Sequence, residues 1–435
     1  MKRIHTSAPV MAVLGFVILL ITGCNDNCES YRSYIMYEPV YATTQELKDS
    51  VEYTGPVDLN HPGKIYFMQG YIFINEAGRG IHVIDNRDVA HPQNVGFIEI
   101  PGNFDLAAQG NFLYADSYVD LIVFDISDKT NIHEINRVPG VFTNLYSSLG
   151  MYVVGSGVVV NYEERLIEES GSDCMGGYRH SCFDCVFLSD VAAFNNQTAG
   201  MMESVSPTVG NSTTGIGGSM ARFTITDNHL FTLDNYQLRS FDITNQTSPV
   251  EKSEISVGWG METIFPYNNH LFLGSQTGMH IYSLANADAP SFLSTSEHIR
   301  SCDPVVVQGD YAYVTLRNGS SCGGFTNQLD VIDISNLSAP KLFKTFPMSN
   351  PHGLGIDGNC LFICEGDFGL KFFDATDVST IGSNLIKEYP DIHALDVIPY
   401  NNVLMMIGSD GFYQYNYNCT DGTMDLLSFI AILAL

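Results

Sequence analysis

Short apolar runs that end in an aspartate and a polar turn recur along the chain: LIVFDIS at 121–127, LDVIDIS at 329–335, and the looser IHVIDNR, LRSFDIT and LKFFDAT. Runs of this length, rich in Val, Ile and Phe and bounded by turn formers, predict β-strands. A second element recurs with them, a Gly- or Asn-bearing turn between two short strands. It is centred on Gly70, Gly110, Gly150, Asn228, Asn269, Gly309, Gly358 and Asn402, in steps of 40, 40, 78, 41, 40, 49 and 44 residues. Eight units fit, the third carrying an insertion. Each unit holds four strand-like runs in about 40 residues, the spacing of a propeller blade. The expectation is an all-β fold: a single β-propeller of eight four-stranded blades, with seven as the alternative count.

The aspartate closing each run (Asp85, Asp125, Asp242, Asp333, Asp374) stands where its carboxylate can accept hydrogen bonds from the next turn, which reads as turn chemistry rather than ligand chemistry. The single tryptophan excludes the Trp-Asp repeat signature, and the double glycines of kelch repeats are absent from the matching positions. On LIVFDIS and LDVIDIS the units resemble the LVIVD-repeat family, over residues 64–435. The resemblance implies a β-propeller, commonly secreted or lipid-anchored in bacteria, and no settled activity. Asn161, Ser283 and Asn416 depart from it, standing where the aspartate would be.

Lys2 and Arg3 followed by the apolar run Val10 to Ile21 read as an export signal, too short to span a bilayer comfortably. It ends at Ile21-Thr22-Gly23-Cys24, which resembles a bacterial lipoprotein cleavage box. Residues 1–23 are then a signal peptide, Cys24 is the lipidated N-terminus, and residues 24–63 are a tether. Within the tether, Thr43 and Glu46 have capping-box spacing for a short helix. The propeller covers 64–435. The localisation that follows is the cell envelope, lipid-anchored at the outer membrane, the lipid being the only membrane contact. The apolar C-terminus MDLLSFIAILAL is about half a bilayer span and reads as a closing strand.

A formal charge of −28 argues against nucleic acid and anionic surfaces as partners. Beyond Cys24, nine cysteines remain, which in an oxidising compartment should include disulfides. The innermost strand of a blade leads the chain outward. The loop before it and the loop joining strands two and three therefore share one face, here named the upper face. Cys302 and Cys322 both fall in such loops, and a disulfide between them is expected. Cys360 and Cys364, four apart on one strand, cannot bond to each other. The insertion, about residues 170–218, is rich in Gly, Ser, Asn and Met and is expected to project from the upper face as a recognition loop. Its Cys174, His180, Cys182 and Cys185 are either a Cys₃His zinc site or a stapling disulfide with a leftover thiol.

GLGIDG at 353–358 has the GxGxxG form but leads into a strand, so it lacks the helix that gives the motif its mechanism. No nucleophile elbow, metalloprotease pair, P-loop or EF-hand occurs, and no catalytic residue is assigned. Polar residues do recur at the heads of the innermost strands: Asp105, Asn144, Glu262, Asp303, His352 and His393. Blades arranged about one axis would bring these into a ring at the channel mouth, with Trp259 as a nearby aromatic wall. Glu262, Asp303, His352 and His393 make a plausible ligand set for a divalent metal. Two readings follow. The first is a monomeric, lipid-anchored binding or scaffold module that engages a protein or glycan through its upper face. The second is a metal-dependent propeller hydrolase or lactonase that uses the ring.

Overall fold

A computed structural model describes residues 30–148, 150–153, 155, 157–171, 186–187, 214–297, 304–319 and 326–432. The chain divides into two compact units: residues 1–39 with 162–191, and residues 40–161 with 192–435. In the smaller unit, strand Ser30–Ala42 pairs antiparallel with Val186–Phe187 through Met36 and Tyr37. Tyr37 also donates to Glu164 at 3.1 Å, and Arg165 meets Glu38 at 2.6 Å. This stretch, expected to be a tether with a short helix, also carries a paired strand. The helix foreseen within the tether is present as Thr44–Asp49, and its capping box is closed in both directions by Thr43 and Glu46.

The larger unit is a β-propeller of seven blades, not eight; six are four-stranded, and the four strands of blade one are flanked by Ile216–Gly217 and Glu52–Thr54 in a six-stranded sheet. Numbered in chain order, their innermost strands are Pro62–Met68, Leu106–Gln109, Phe223–Thr226, Met261–Tyr267, Val305–Gln308, Leu354–Asp357 and Asp396–Tyr400. The miscount has a local cause. Around Gly150 the sequence does turn and pair, but Tyr152–Val153 pairs with the start of Gly157–Gly171 in a hairpin that joins no blade. TNLYS, expected to be an innermost strand, lies in the short helix Thr143–Ser148. The glycine read as a strand turn, Gly150 with φ +70°, instead ends that helix, Met151 N–H donating to Tyr146 C=O, because a left-handed glycine serves a helix end as well as a hairpin.

Elsewhere the turn chemistry is as expected. The pairs Asp227–Asn228, Asn268–Asn269 and Asn401–Asn402 all have positive φ, between 44° and 63°, as a type I′ hairpin turn requires. The closing aspartates accept from the backbone N–H two residues on: Asp125 from Ser127 at 2.8 Å, Asp242 from Thr244 at 2.8 Å and Asp374 from Thr376 at 2.8 Å. In blade four Ser283 takes the same place, accepting from Ala285 at 3.2 Å. Residues Thr423–Ala431 form the outermost strand of blade seven.

The ring closes between blades one and seven by side chains. Gln414 exchanges amide hydrogen bonds with Asn86 at 2.7 and 2.8 Å, over an apolar seam that includes Ile72, Ile74, Ile407 and Phe412. A disulfide joins Cys360, at the start of the second strand of blade six, to Cys419, in the outer turn of blade seven. Cys364, on the same strand as Cys360, is buried and outside that bond, as their spacing demanded.

Candidate functional site: the channel and its two mouths

A propeller of this size leaves an axial channel, and here the chain itself enters it. Ile216 and Gly217 pair antiparallel with Phe67 and Tyr66 on the innermost strand of blade one. Gly215 N–H donates to Ala108 of blade two, Ser219 Oγ accepts from Leu354 N–H of blade six at 2.6 Å, and Ala221 C=O accepts from Ile264 of blade four. One short segment, Thr214–Arg222, thus touches the innermost strands of five blades. Small residues make this possible. A Cβ on Gly218 would come within 2.0 Å of Asp396 Oδ2, and one on Gly215 within 2.2 Å of the Tyr66 ring. These residues were expected to end an insertion projecting from the upper face. Instead they run up the channel and turn at Ser219–Arg222 into blade three, because a Gly-Ile-Gly-Gly-Ser strand is slim enough for the axis.

At the upper mouth the segment locks one side of the ring. Lys64 of blade one and Asp105 of blade two form a fully buried ion pair, and Asp105 also accepts from Arg222 N–H at 2.5 Å. Burial pushes the Lys64 ammonium below its ordinary value, while Asp105 pulls it back up. Asp116 accepts three hydrogen bonds, from Asn103 Nδ2, Phe104 N–H and Asp105 N–H, at 2.8 to 2.9 Å. Burial nevertheless pushes its carboxyl up to about 7, against those donors. Arg222 Nε donates to Glu262 C=O at 3.1 Å, and Gln276 holds Glu262 Oε1 at 3.0 Å. Asp396 accepts from Ser219 N–H at 2.8 Å.

On the other side, from blades five to seven, His352 is buried, His393 half-buried and Asp367 exposed. His352 Nε2 lies 3.4 Å from Arg317 Nη1 and 3.2 Å from Asn350 Nδ2, so it is placed as an acceptor. Gly366 abuts the ring, with φ +56° and room for no Cβ: one there would stand 2.8 Å from His352 Nε2. His393 Nδ1 accepts from Ser409 N–H at 3.1 Å, which leaves Nε2 to face Asp367 at 3.3 Å. Burial holds His393 below its ordinary pKa, Asp367 and Asp410 raise it, and the neighbouring His352 lowers it.

Of the expected ring, Asp105, Glu262, His352 and His393 stand at or beside the heads of innermost strands. Asn144 does not: it is exposed on the helix Thr143–Ser148, 3.4 Å from Gln237. Asp303, Cys24, Cys174, His180, Cys182, Cys185, Cys302 and Cys322 lie outside the described residues. Among the described residues no three His, Cys, Asp or Glu side chains gather closely enough to hold a metal ion. Trp259 is 52% exposed, on an upper-face loop between Gly258 and Gly260, and Phe368 is 54% exposed on the strand two to three loop of blade six. Sequence reasoning passed over Lys64, Asp116, Arg222, Ser219 and Asp396. Lys64 and Arg222 do precede apolar strands in GKIYFM and ARFTIT, the same signal that picked out Asp105.

The fold and the repeated strand define the class: the chain is a β-propeller carrying LVIVD repeats. The model of the LVIVD repeat matches residues 103–139 and 299–346, which contain blades two and five. No curated protein matches the sequence. Among solved structures, the chain is similar to a functionally unknown protein from Desulfotomaculum acetoxidans, at 11% identity and TM-score 0.49, over 83% of this chain and 96% of that one. It is also similar to BamB from Moraxella catarrhalis, at 10% identity and TM-score 0.45, over 88% and 91% of the two chains.

Proposed function

We propose that this protein is a lipid-anchored binding module of the bacterial cell envelope, held at the outer membrane through Cys24 and engaging a protein partner with its upper face. The observation that carries the reading is the pair of large exposed rings on that face, Trp259 and Phe368. Each sits in a loop with two positive-φ glycines: Gly258 and Gly260 at +99° and +80°, and Gly366 and Gly369 at +56° and +86°. Exposed aromatic residues on stiff turns beside a polar rim have the composition of interface anchors. Among the described residues no helix is long and apolar enough to cross a membrane.

The test is cross-linking in whole cells with the native chain and a Trp259→Ala/Phe368→Ala variant. A discrete cross-linked partner that falls about tenfold in the variant, with unchanged melting, supports the reading. Equal capture by both proteins overturns it. Anchoring is tested separately with Cys24→Ser, which should leave the membrane fraction or remain unprocessed.

A further inference from the structure

A buried polar cluster lies at the upper mouth, yet a cavity lies at the other end of the channel. It is about 600 Å³, within the range of small-ligand sites, and is bordered by the lower ends of the innermost strands and by the channel segment itself. One wall is aromatic: Phe67 of blade one and Tyr400 of blade seven sit with ring centroids 4.9 Å apart, and Tyr267 of blade four joins the lining. The remaining wall is hydroxylic, from Thr214 on the channel segment and from Thr224 and Thr226 on blade three. All six of these side chains are only partly buried, so rings and hydroxyls present themselves to the cavity.

The chemistry of this lining narrows the occupant. Among the described residues no Lys or Arg borders the cavity; His270 does, its Nδ1 2.7 Å from Asn268 C=O, and the acidic member, Asp227, repels anions, so the lining does not favour phosphates or carboxylates as principal groups. Threonine hydroxyls and the amides of Asn268 and Asn269 would lose hydrogen bonds to a purely apolar guest. A peptide added as a strand needs an open strand edge; on blade one the inner edge is already taken by Ile216 and Gly217 and on blade two Gln109 bridges Thr214, which leaves only short edges such as those of blades three and four. What remains is a neutral molecule with one apolar face for the rings and a rim of hydroxyls for the threonines. We propose that the lower mouth is a binding site for a neutral oligosaccharide, stacked on Phe67 and Tyr400 and hydrogen-bonded by Thr214, Thr224 and Thr226. The channel segment forms the inner wall of this site, so one chain offers two recognition surfaces at opposite ends of one axis.

Isothermal titration with neutral trisaccharides of glucose, galactose, mannose and N-acetylglucosamine tests this on the purified full chain. At least one should bind in the sub-millimolar range. Tyr400→Ala, which removes half the aromatic wall, and Thr224→Trp, which fills the cavity, should each weaken it by about tenfold or more. Trp259→Ala/Phe368→Ala and His352→Ala should leave the titration unchanged, which separates this site from the upper face. The proposal is overturned if no member of the panel binds up to about 10 mM, if binding is indifferent to Tyr400→Ala in a protein of native melting temperature, or if binding is lost with the upper-face variants instead.

Discussion

The two sides of the upper mouth are built from equivalent strand heads, yet they are held in different ways. On the side of blades one to three, the chain has put its own segment into the channel and closed it with buried charge: Lys64, Asp105 and the Arg222 backbone. On the side of blades six and seven, a covalent bond between Cys360 and Cys419 ties neighbouring blades near their lower turns. There His393 is half-buried and Asp367 exposed at the mouth, while His352, Asp396 and Glu365 are buried, Glu365 against Lys371. A side whose charges are satisfied internally has little left to offer a ligand. A side braced from below can leave His393 and Asp367 for recognition.

That contrast can be broken at its strongest point first. Cys419→Ser opens a bond with a sequence separation of 59 residues, and the chain-entropy model puts its stabilisation at about 4 kcal/mol. Chemical denaturation should show that loss, and a midpoint that does not move would mean that non-covalent contacts already hold blades six and seven. Next, Lys64→Met strands Asp105 without its cation inside the channel and should cost about 3 kcal/mol, read in the same experiment. A cost below about 1 kcal/mol would show that Arg222 N–H and Leu106 N–H suffice for that carboxylate. Gly366→Ala acts on the open side. Forcing a Cβ into the positive-φ turn against His352 should cost about 1–2 kcal/mol and shift the His352 imidazole resonances in NMR, leaving the Lys64 side unaffected.

The last effect is electrostatic and is read against pH. Asp116 titrates near 7 in the folded chain and near 4 when unfolded, so between those values the folded state holds a proton that the unfolded state has released. Stability should therefore fall as pH rises from about 4 to about 7 and then level off, as far as this group is concerned. Asp116→Asn should remove that slope, with the difference from the native chain growing as pH rises, in melting curves taken at several pH values. A slope of the opposite sign would mean that the three N–H donors outweigh burial and keep the carboxylate ionised.

Much of the blade was legible because its determinants are local. A type I′ turn requires positive φ at both central residues, and Asn-Asn or Gln-Gly supply it; an aspartate two residues before a donor N–H makes its own turn. Both signals survive in the folded chain at Asp125, Asp242, Asn228 and Asn269. The blade count was less secure for the same reason, since Gly150 uses the same positive-φ geometry to end the helix Thr143–Ser148 outside any blade. Part of the upper ring was legible through register alone. A polar residue at the head of an apolar innermost strand marked Asp105, Glu262 and His352, and a consistent reading would have added Lys64 and Arg222.

The sequence by itself determined strand, turn and repeat, because hydrophobic spacing and backbone conformational preference act over a few residues. Only the tertiary structure decided where Thr214–Arg222 goes, which half of the ring its charges close, and that Cys360 meets Cys419. Gly-Ile-Gly-Gly-Ser carries no periodicity, and nothing within it distinguishes a surface loop from a strand that fits an axial channel. That choice depends on the width left by seven blades, on unfilled backbone hydrogen bonds along Tyr66 and Phe67, and on buried carboxylates needing donors, all supplied by residues far away in the chain.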